Sequence, residues 1–371
     1  MEKLEHITIN EIPSLTWNWL KMNRDAIDLA EGFPLAKPQI ANSGSKIAVT
    51  QGKPGDLEGC CFASGITNKK NPKLVDGKAH FDFVTEDGTH PLNRLFDEAA
   101  STTVRIEGKQ EKPIVLSLNE DGTYASAQNI IAEEGSESTV ILVYEGKAAQ
   151  SVVRTKLLAK QNSKLHIVKV QLLDSKNLQI DDTAVIAKEN AKISFTQIEL
   201  GGNHVDSGLG VVLEGYKAAF NSNVAYICKG EQTLDMNHIV YHTGKKTECD
   251  MKVSGTLLEG AVKTYRGTID FKNGCTGSKG NEMEEVLLLS PNAVNNSLPV
   301  ILCDEEDVEG EHGSTIGRLS SETLFYMQSR GISEKEAEKI LSRAKIQAAA
   351  DLICDEAVKE KINNFLDKEN K

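Results

Sequence analysis

The chain has 371 residues, of which 39% are hydrophobic, so it can bury one large core or two smaller ones. Its 54 acidic residues outnumber its 42 basic ones, giving a formal net charge of -12, and no run of Lys or Arg exceeds a pair, which argues against a nucleic-acid partner. No apolar run reaches the ~18 residues of a membrane span and residues 1–10 lack a secretory pattern, so we expect a cytoplasmic protein without membrane contact.

The seven cysteines are scattered: only Cys60 and Cys61 are adjacent, and no C-x-x-C occurs. This spacing disfavours a disulfide framework or a zinc ribbon, so we expect reduced thiols. The chain also lacks a G-x-x-x-x-G-K-[ST] loop, a dinucleotide fingerprint and a G-x-S-x-G elbow. We therefore expect no bound nucleotide in this chain and no ATP hydrolysis by it.

Residues 1–102 form a predicted N-terminal region of mixed, partly helical character. Ser14 is placed to cap a helix over residues 14–22, with weaker apolar spacing beyond it. The Gly-, Pro- and Asn-rich residues 31–71 indicate loop. A second helix is predicted over residues 91–100, where three apolar side chains would share one face.

From residue 103 to 318, apolar and polar residues alternate between turns, which predicts strands. A turn sequence of the form A-K-x-N-x-K ends at Lys164 and again at Lys192, with looser copies ending at Lys217 and Lys246, at offsets of 28, 25 and 29 residues. A strand–turn–strand unit of this period is typical of a stacked solenoid. We predict a mainly β protein with a β-helix core; a β-sandwich with chance similarity between its turns is the alternative.

Residues 319–371 form a predicted helical region after this core. It divides into three short amphipathic helices. Their expected boundaries are a cap at Ser320 or Ser321, an end at Gly331, a capping box from Ser333 and Glu336, and a third start near Asp355. We expect these helices to seal the end of the solenoid; docking of a partner is the alternative.

The stretch 299–332 combines a buried strand, a thiol and a histidine beside a carboxylate. Cys303 closes the apolar run, and Glu311 and His312 lie between two glycines in a predicted turn. Thiolate, imidazole and carboxylate together form a metal-ligand set that favours iron or zinc. The alternative is that Cys303 only packs at the end of a strand.

Four other polar side chains are expected to face solvent. His238 and His242 lie four residues apart on a predicted strand and lack the glutamate of a zinc protease motif. Both would face one side of that strand, so a metal role is the alternative. Asp181 and Asp182 form an acidic pair of the kind common at turns, although paired carboxylates also occur in glycoside hydrolases.

Several segments resemble one known family. They are GTLLEGAVKTYRG at residues 255–267, the run LLLS at 287–290, Pro299, and EHGSTIGRLSSETLFYMQSRGI at 311–332. These segments resemble the SufB/SufD family of iron-sulfur cluster assembly scaffold proteins. The similarity is specific in the last hundred residues and looser, but collinear, back to about residue 103.

The resemblance implies a right-handed parallel β-helix over residues 103–318 with helical N- and C-terminal regions, and a non-catalytic role as a scaffold for a transient iron-sulfur cluster. It implies pairing with a second SufB/SufD family chain, as a homodimer or a heterodimer, and sulfur supply by a cysteine desulfurase system. Residues 319–371 would dock the ABC-type ATPase SufC. The implied docking residues are Leu319, Leu324, Phe325, Arg330 and Ile340.

The family's ligand positions carry over unevenly. His312 matches the histidine that both branches place here, and Glu311 matches the Glu-His order of SufB. Gly310 stands where SufD members commonly have a cysteine, and Glu284 lies about where SufB members tend to have one. We therefore take Cys303 as the first candidate for the thiol ligand or sulfur acceptor.

Cys275 is the second candidate for that thiol. Two roles within the family stay open: a scaffold that builds and transfers a nascent cluster, or a SufD-like subunit that supports a separate SufB and SufC without its own cluster. A third hypothesis, of another class, is a polysaccharide-acting β-helix enzyme, which would carry a groove of carboxylates along one face of the solenoid.

Overall fold

The computed structural model describes residues 4–13, 20–41, 46–57, 60, 62–66, 74–75, 78–79 and 91–368. The strands are β1 (Leu4–Ile9), β2 (Asp25–Leu29), β3 (Gln39–Ala41), β4 (Ile47–Gln51), β5 (Leu74–Val75), β6 (Lys78–Ala79), β7 (Thr102–Ile106), β8 (Ile114–Asn119), β9 (Gly122–Ala132), β10 (Glu137–Gly146), β11 (Ala148–Ala159), β12 (Lys164–Leu173), β13 (Leu178–Ala187), β14 (Lys192–Glu199), β15 (His204–Leu213), β16 (Ala219–Cys228), β17 (Thr233–His242), β18 (Glu248–Leu257), β19 (Val262–Phe271), β20 (Ser278–Leu288), β21 (Val294–Cys303) and β22 (Val308–Arg318). The helices are α1 (Ser321–Ser329), α2 (Glu334–Ala350) and α3 (Glu356–Lys368).

Successive strands alternate between two nine-stranded sheets, which confirms the predicted solenoid. The first sheet has the order β4-β7-β9-β11-β13-β15-β17-β19-β21, and the second has the order β3-β8-β10-β12-β14-β16-β18-β20-β22. Neighbouring strands from β7 to β22 run parallel and mostly in unbroken register. Stacked parallel coils replace the alternative of an antiparallel sandwich. In the described residues, no helix is both long and apolar enough to span a membrane.

One turn is repeated in six successive coils and sets their stacking. Its central residue has a positive φ, and its backbone N–H donates to a carbonyl of the next coil at 2.7–3.0 Å. The left-handed conformation favours Gly and Asn because other side chains are strained there. These residues are Gly135, Asn162, Asn190, Lys217, Lys246 and Gly277.

The third and fourth copies of the repeat were each misaligned by two residues in the sequence, since Lys246 also takes the left-handed position and Glu248 is in register with Ala219. Lys217 takes the left-handed position of Asn190, and the residue in register with Lys192 is Ala219. The offsets between successive left-handed positions, Asn162, Asn190, Lys217 and Lys246, are therefore 28, 27 and 29 residues. A lysine at a turn gave no signal in the sequence that distinguished it from a strand residue.

The expectation that four polar residues face solvent is wrong. Asp181 and Asp182 are 2% and 5% exposed, and His238 and His242 are fully buried. Strand residues alternate between the inside of the solenoid and the outer face of their sheet. Both of those sides are buried here, because further chain covers the outer face of the first sheet.

The N-terminal region supplies that cover and differs from the prediction. Its described residues contain no α-helix: residues 25–29 form β2, part of the predicted loop forms β3 and β4, and the predicted helix at 91–100 is two short 3-10 turns, Pro91–Leu95 and Glu98–Ala100. Residues 14–19 of the other predicted helix lie outside the described residues. Apolar side chains of this region pack on the first sheet, among them Ile9, Leu29, Phe33, Leu57 and Phe62.

The C-terminal helices begin and end as predicted. Ser320 caps α1, and Ser333 and Glu336 form a capping box at α2. The helices do not seal the end of the solenoid, however: Ile346 of α2 and Ile362 of α3 pack on the outer face of the second sheet. The sealing prediction is wrong because the second sheet has an apolar outer face of its own that needs burial.

The two ends of the solenoid differ. At the N-terminal end, β3 pairs antiparallel with β8, and β4 pairs antiparallel with β7. At the C-terminal end, the described residues place no strand beyond β21 and β22, which are the edges of their sheets. Long unpaired edge strands are ready templates for pairing with another chain.

Gly210 in β15 tests how closely the N-terminal cover approaches the first sheet. A Cβ added there would lie 2.3 Å from the carbonyl oxygen of Ala63. We expect Gly210→Ala to lower the free energy of unfolding by about 1–3 kcal/mol, since backbone must move. Gly317→Ala is the matched control, because a Cβ there meets nothing within 4 Å. Equal denaturation midpoints for the two variants would contradict this close approach.

Candidate functional site

Glu311 and His312 lie in strand β22, so the turn predicted for them is wrong. Gly310 shows which face of β22 is the inner one. A Cβ at this glycine would lie 3.0 Å from the ring of Phe271 and 3.4 Å from the side chain of Ile301, both of which pack in the core. Because strand residues alternate, His312 faces the inside of the solenoid and Glu311 faces outward.

Cys303 also lies on the inner side, at the end of β21. It is in register with Phe271, and Ile301, two residues before it, packs against the core. Its side chain is exposed, and its Sγ donates to the carbonyl oxygen of Glu305 at 3.0 Å. The structure therefore places Cys303 and His312 on the inner side of the last coil, formed by β21 and β22, and turns Glu311 to the outer face. We refer to this open C-terminal end of the solenoid interior as the mouth.

Buried charges form the floor of this mouth. Glu282 is in register with His312, and Glu284 with Ser314, one coil further in. Lys263 forms an ion pair with Glu284, and both side chains are buried. Burial, with a further contribution from Glu284, raises the pKa of Glu282 to about 7. Glu284 is thus already paired, whereas Glu282 can exchange a proton near neutral pH.

The two other thiols of this end are deeper. Burial raises the pKa of Cys275 to about 11. Burial raises the pKa of Cys249 to about 12, and its Sγ lies 3.2 Å from Nε2 of His242. Because thiolates are the metal ligands and nucleophiles, the exposed Cys303 is better placed than Cys275 or Cys249.

The predicted docking residues lie in α1, at its two ends and in α2, and α1 has no buried side chain. Phe325 is 73% exposed and Ile340 is 49% exposed, while Leu319 and Leu324 are half-buried. Arg330 places its guanidinium 4.9 Å from the ring centre of Tyr326. A cleft of about 650 Å³ lies between α1, α2 and the second sheet. This apolar surface is open to another molecule.

The family model described as "SUF system FeS cluster assembly, SufBD core domain" matches residues 116–345, which is more than half of the chain. The chain belongs to the SufBD family. The match runs from β8 into α2 and includes all of β20–β22. The resemblance drawn from the sequence is thereby confirmed.

Curated SufBD proteins from several organisms are similar to this one. The iron-sulfur cluster assembly protein SufD of Bacillus subtilis is 26% identical over 41% of this chain and 35% of its own length. SufB of the same organism is 22% identical over 64% of this chain and 52% of its own length. A chloroplastic SufBD family protein of Arabidopsis thaliana is 23% identical over 54% and 40%. The matches thus span about a third to a half of these relatives.

The outer face of the second sheet argues against the carboxylate groove of a polysaccharide-acting enzyme. A groove of about 980 Å³ on this face is lined by five lysines, with Glu137 and Glu248 as its carboxylates. The lysines are Lys164, Lys192, Lys217, Lys246 and Lys279. A row of ammonium groups does not provide the paired carboxylic acid and carboxylate of glycoside hydrolysis.

Sequence reasoning missed the floor of the mouth in this SufBD protein. Glu282 and Lys263 were not candidates, because charged residues are rarely fully buried unless paired. The alternation of β20 could have revealed Glu282, since it lies two residues before Glu284 and so on the same face. Lys263 could not be found this way, because its partner is on the other sheet.

The raised pKa of Glu282 gives a pH test. Its folded-state pKa of about 7 lies above the usual value, so its contribution to stability is full below about pH 4.5 and is lost as the pH rises through 7. Glutamine does not ionise. We expect the stability of Glu282→Gln relative to the parent to rise between these pH values, by up to roughly 3 kcal/mol.

Chemical denaturation at a series of pH values measures this difference. Glu248→Gln, at an exposed glutamate of β18, is the control and should stay parallel to the parent throughout. A Glu282→Gln profile that also stays parallel would mean that folding does not raise the pKa of Glu282.

Proposed function

We propose that this chain is a scaffold component of a SUF system that builds a nascent iron-sulfur cluster at the C-terminal mouth of its solenoid and transfers it onward. One observation carries the proposal: an exposed thiol, Cys303, and an inward-facing imidazole, His312, share that mouth in a SufBD family fold. The cluster is the cargo of this site. The chain itself performs no ATP hydrolysis in this proposal.

Cys303 is the proposed sulfur acceptor. Its thiolate attacks the outer sulfur of a persulfide on a donor from a cysteine desulfurase system, which releases the donor's thiolate and leaves a persulfide on Cys303. His312 then provides a nitrogen ligand to iron. Glu311 would add an oxygen ligand only after its side chain turns inward, and Glu284 only after its ion pair with Lys263 breaks. Imidazole and carboxylate bind iron less tightly than thiolate, which suits a cluster that must leave.

The unpaired edges β21 and β22 support association through this same end. A second SufB/SufD family chain that extends both sheets would satisfy the free backbone groups of the two strands and enclose Cys303 and His312. The mouth is exposed in a single chain, so a partner is needed to exclude water from a bound cluster. A homodimer and a heterodimer both meet this need.

Cysteine replacement tests the cluster site. We expect Cys303→Ser to abolish iron and acid-labile sulfide in protein purified without oxygen together with its SufC-type ATPase, because serine cannot carry the persulfide. Cys354→Ser is the matched control, since Cys354 is also an exposed free thiol and lies away from the mouth, between α2 and α3. The control should retain both iron and sulfide, and the visible absorption of a cluster.

Two results would count against the scaffold role. Cluster retained by Cys303→Ser and lost by Cys275→Ser would move the acceptor to the deeper thiol. A stable complex of the unaltered chain with its ATPase that never holds iron would instead support the SufD-like role, in which the chain stabilises a separate SufB.

We propose that α1 and the adjoining end of α2 dock a SufC-type ABC ATPase. A helix without any buried side chain gains stability from a partner, and Phe325 and Tyr326 present large apolar area beside Arg330. Aromatic and Arg residues are enriched among those that dominate binding energy. ATP turnover in the partner would then act on this chain through α2, whose Lys345 bonds to Glu285 of β20 at 2.5 Å.

Alanine substitution tests this docking surface. We expect Phe325→Ala to weaken binding of the ATPase by roughly thirtyfold, as for a side chain worth about 2 kcal/mol at an interface, and Ile340→Ala to weaken it less. Leu352→Ala is the control, because Leu352 is 46% exposed but lies beyond the end of α2. Calorimetric titration measures all three, and equal affinities would place the ATPase elsewhere on the chain.

A further inference from the structure

Three potential metal ligands converge far from the mouth of the solenoid. Nε2 of His204 lies 2.9 Å from Oδ2 of Asp25 and 3.3 Å from Oδ2 of Asp206. One ligand atom from each residue lies within 4.8 Å of the other two. We refer to Asp25, His204 and Asp206 as the Asp-His-Asp cluster.

The fold brings the Asp-His-Asp cluster together from two separate elements. His204 begins β15 and Asp206 follows two residues later, so both point to the outer face of the first sheet. Asp25 begins β2, which lies over that face as part of the N-terminal cover. The backbone N–H of Ala26 donates to the other carboxylate oxygen of Asp25 at 2.8 Å and so holds its orientation.

The burial of the Asp206 carboxylate without a hydrogen-bond donor indicates a place for a cation. The Asp206 side chain is fully buried, and neither of its oxygens accepts a hydrogen bond from any described residue; its charge partner is Nε2 of His204 at 3.3 Å, and only when that imidazole is protonated. The next carboxylate in register, Asp235, is already bonded by Arg266 and Asn10. A buried carboxylate needs paired charge, and a single imidazole N–H cannot serve both Asp25 and Asp206.

The separations in the cluster match those around a small metal ion. Metal–nitrogen and metal–oxygen bonds of about 2.0–2.2 Å place neighbouring ligand atoms roughly 3.0 Å apart in octahedral geometry and roughly 3.4 Å apart in tetrahedral geometry. The two measured distances, 2.9 and 3.3 Å, fall at these values. A shift of a few tenths of an ångström would therefore suffice to admit an ion.

We propose that the Asp-His-Asp cluster binds a divalent first-row transition metal ion such as Mn²⁺, Fe²⁺ or Zn²⁺. One imidazole and two carboxylates suit these ions, whereas Cu(I) and cluster iron favour softer ligands. His204 and Asp25 remain 26% and 27% exposed, which leaves the other coordination positions open to water. The ion ties β2 of the N-terminal cover to β15 of the solenoid.

Mn²⁺ is the probe for this site, because it prefers carboxylate and imidazole ligands and so avoids the thiols at the mouth. We expect the metal-free full chain to bind one Mn²⁺ ion, counted by the loss of the free-ion signal in electron paramagnetic resonance. Asp25→Asn and Asp206→Asn should each weaken binding by more than roughly tenfold. Bound Mn²⁺ should also slow proteolysis within the N-terminal cover of the parent but not of these variants.

His6→Ala is the matched control. His6 of β1 and Asp28 of β2 form another His-Asp pair, with Nδ1 and Oδ1 3.4 Å apart, but both side chains are well exposed. This variant should bind Mn²⁺ as the parent does. Circular dichroism at the titration temperature establishes that each variant is folded, and Asp25→Asn, at the partly exposed ligand, keeps the test valid if the buried substitution fails to fold.

Absence of stoichiometric Mn²⁺ binding by the parent would overturn the proposal and leave an imidazolium bridging two carboxylates. Binding that survives both Asp25→Asn and Asp206→Asn would overturn it as well, since the ion would then lie elsewhere. Neither result bears on cluster assembly. Cys303 and His312 lie in the last coil of the solenoid, away from the Asp-His-Asp cluster, and their proposed role is tested by iron and acid-labile sulfide content.

Discussion

The stacked left-handed turn is the constraint on which the rest of this structure depends. Each turn N–H is committed to a carbonyl of the next coil, so a coil cannot slip along its neighbour without breaking that bond. Since strand side chains alternate, a slip of one residue would exchange the inside of the solenoid for the outside. The column from Gly135 to Gly277 thus fixes which side chains are buried along the whole stack.

Because the register is fixed, few faces of the solenoid remain accessible to other molecules. The outer face of the first sheet is covered by the N-terminal region, and part of that of the second is covered by α2 and α3. The inner positions are enclosed except at the last coil, where the edges β21 and β22 are free among the described residues. A thiol becomes accessible from the inner side only there, which is where Cys303 lies.

The sequence predicted what depends on local pattern and failed where distant segments meet. The solenoid, the first two copies of its repeat and the caps Ser320 and Ser333 follow from turn residues and spacing, and the structure confirms them. The N-terminal strands were missed because β3 and β4 form only by pairing with strands about fifty to eighty residues away, so composition indicated loop. The same limit hid the proposed metal site: Asp25 and His204 are 179 residues apart in the chain.

The candidate mouth shows the same division. Cys303 and His312 were identified from residue type and motif, but the turn that was to bring Glu311 beside His312 is a strand, and alternation separates the two side chains. Glu282 takes the place next to His312 by register, which no local pattern in β22 encodes. Local sequence therefore supplied the donor atoms, while stacking decided which of them share a face.

Depth in the solenoid also separates thiols of the same chemistry. Burial holds Cys249 and Cys275 as neutral thiols, with pKa values near 12 and 11, so they pack as small apolar side chains at neutral pH. Among the described residues, the buried cation at this end, Lys263, is already paired with Glu284, so it does not offset the cost of a buried thiolate. A sulfur acceptor must reach the thiolate to react, so desolvation itself directs that chemistry from the core to the rim where Cys303 ends its strand.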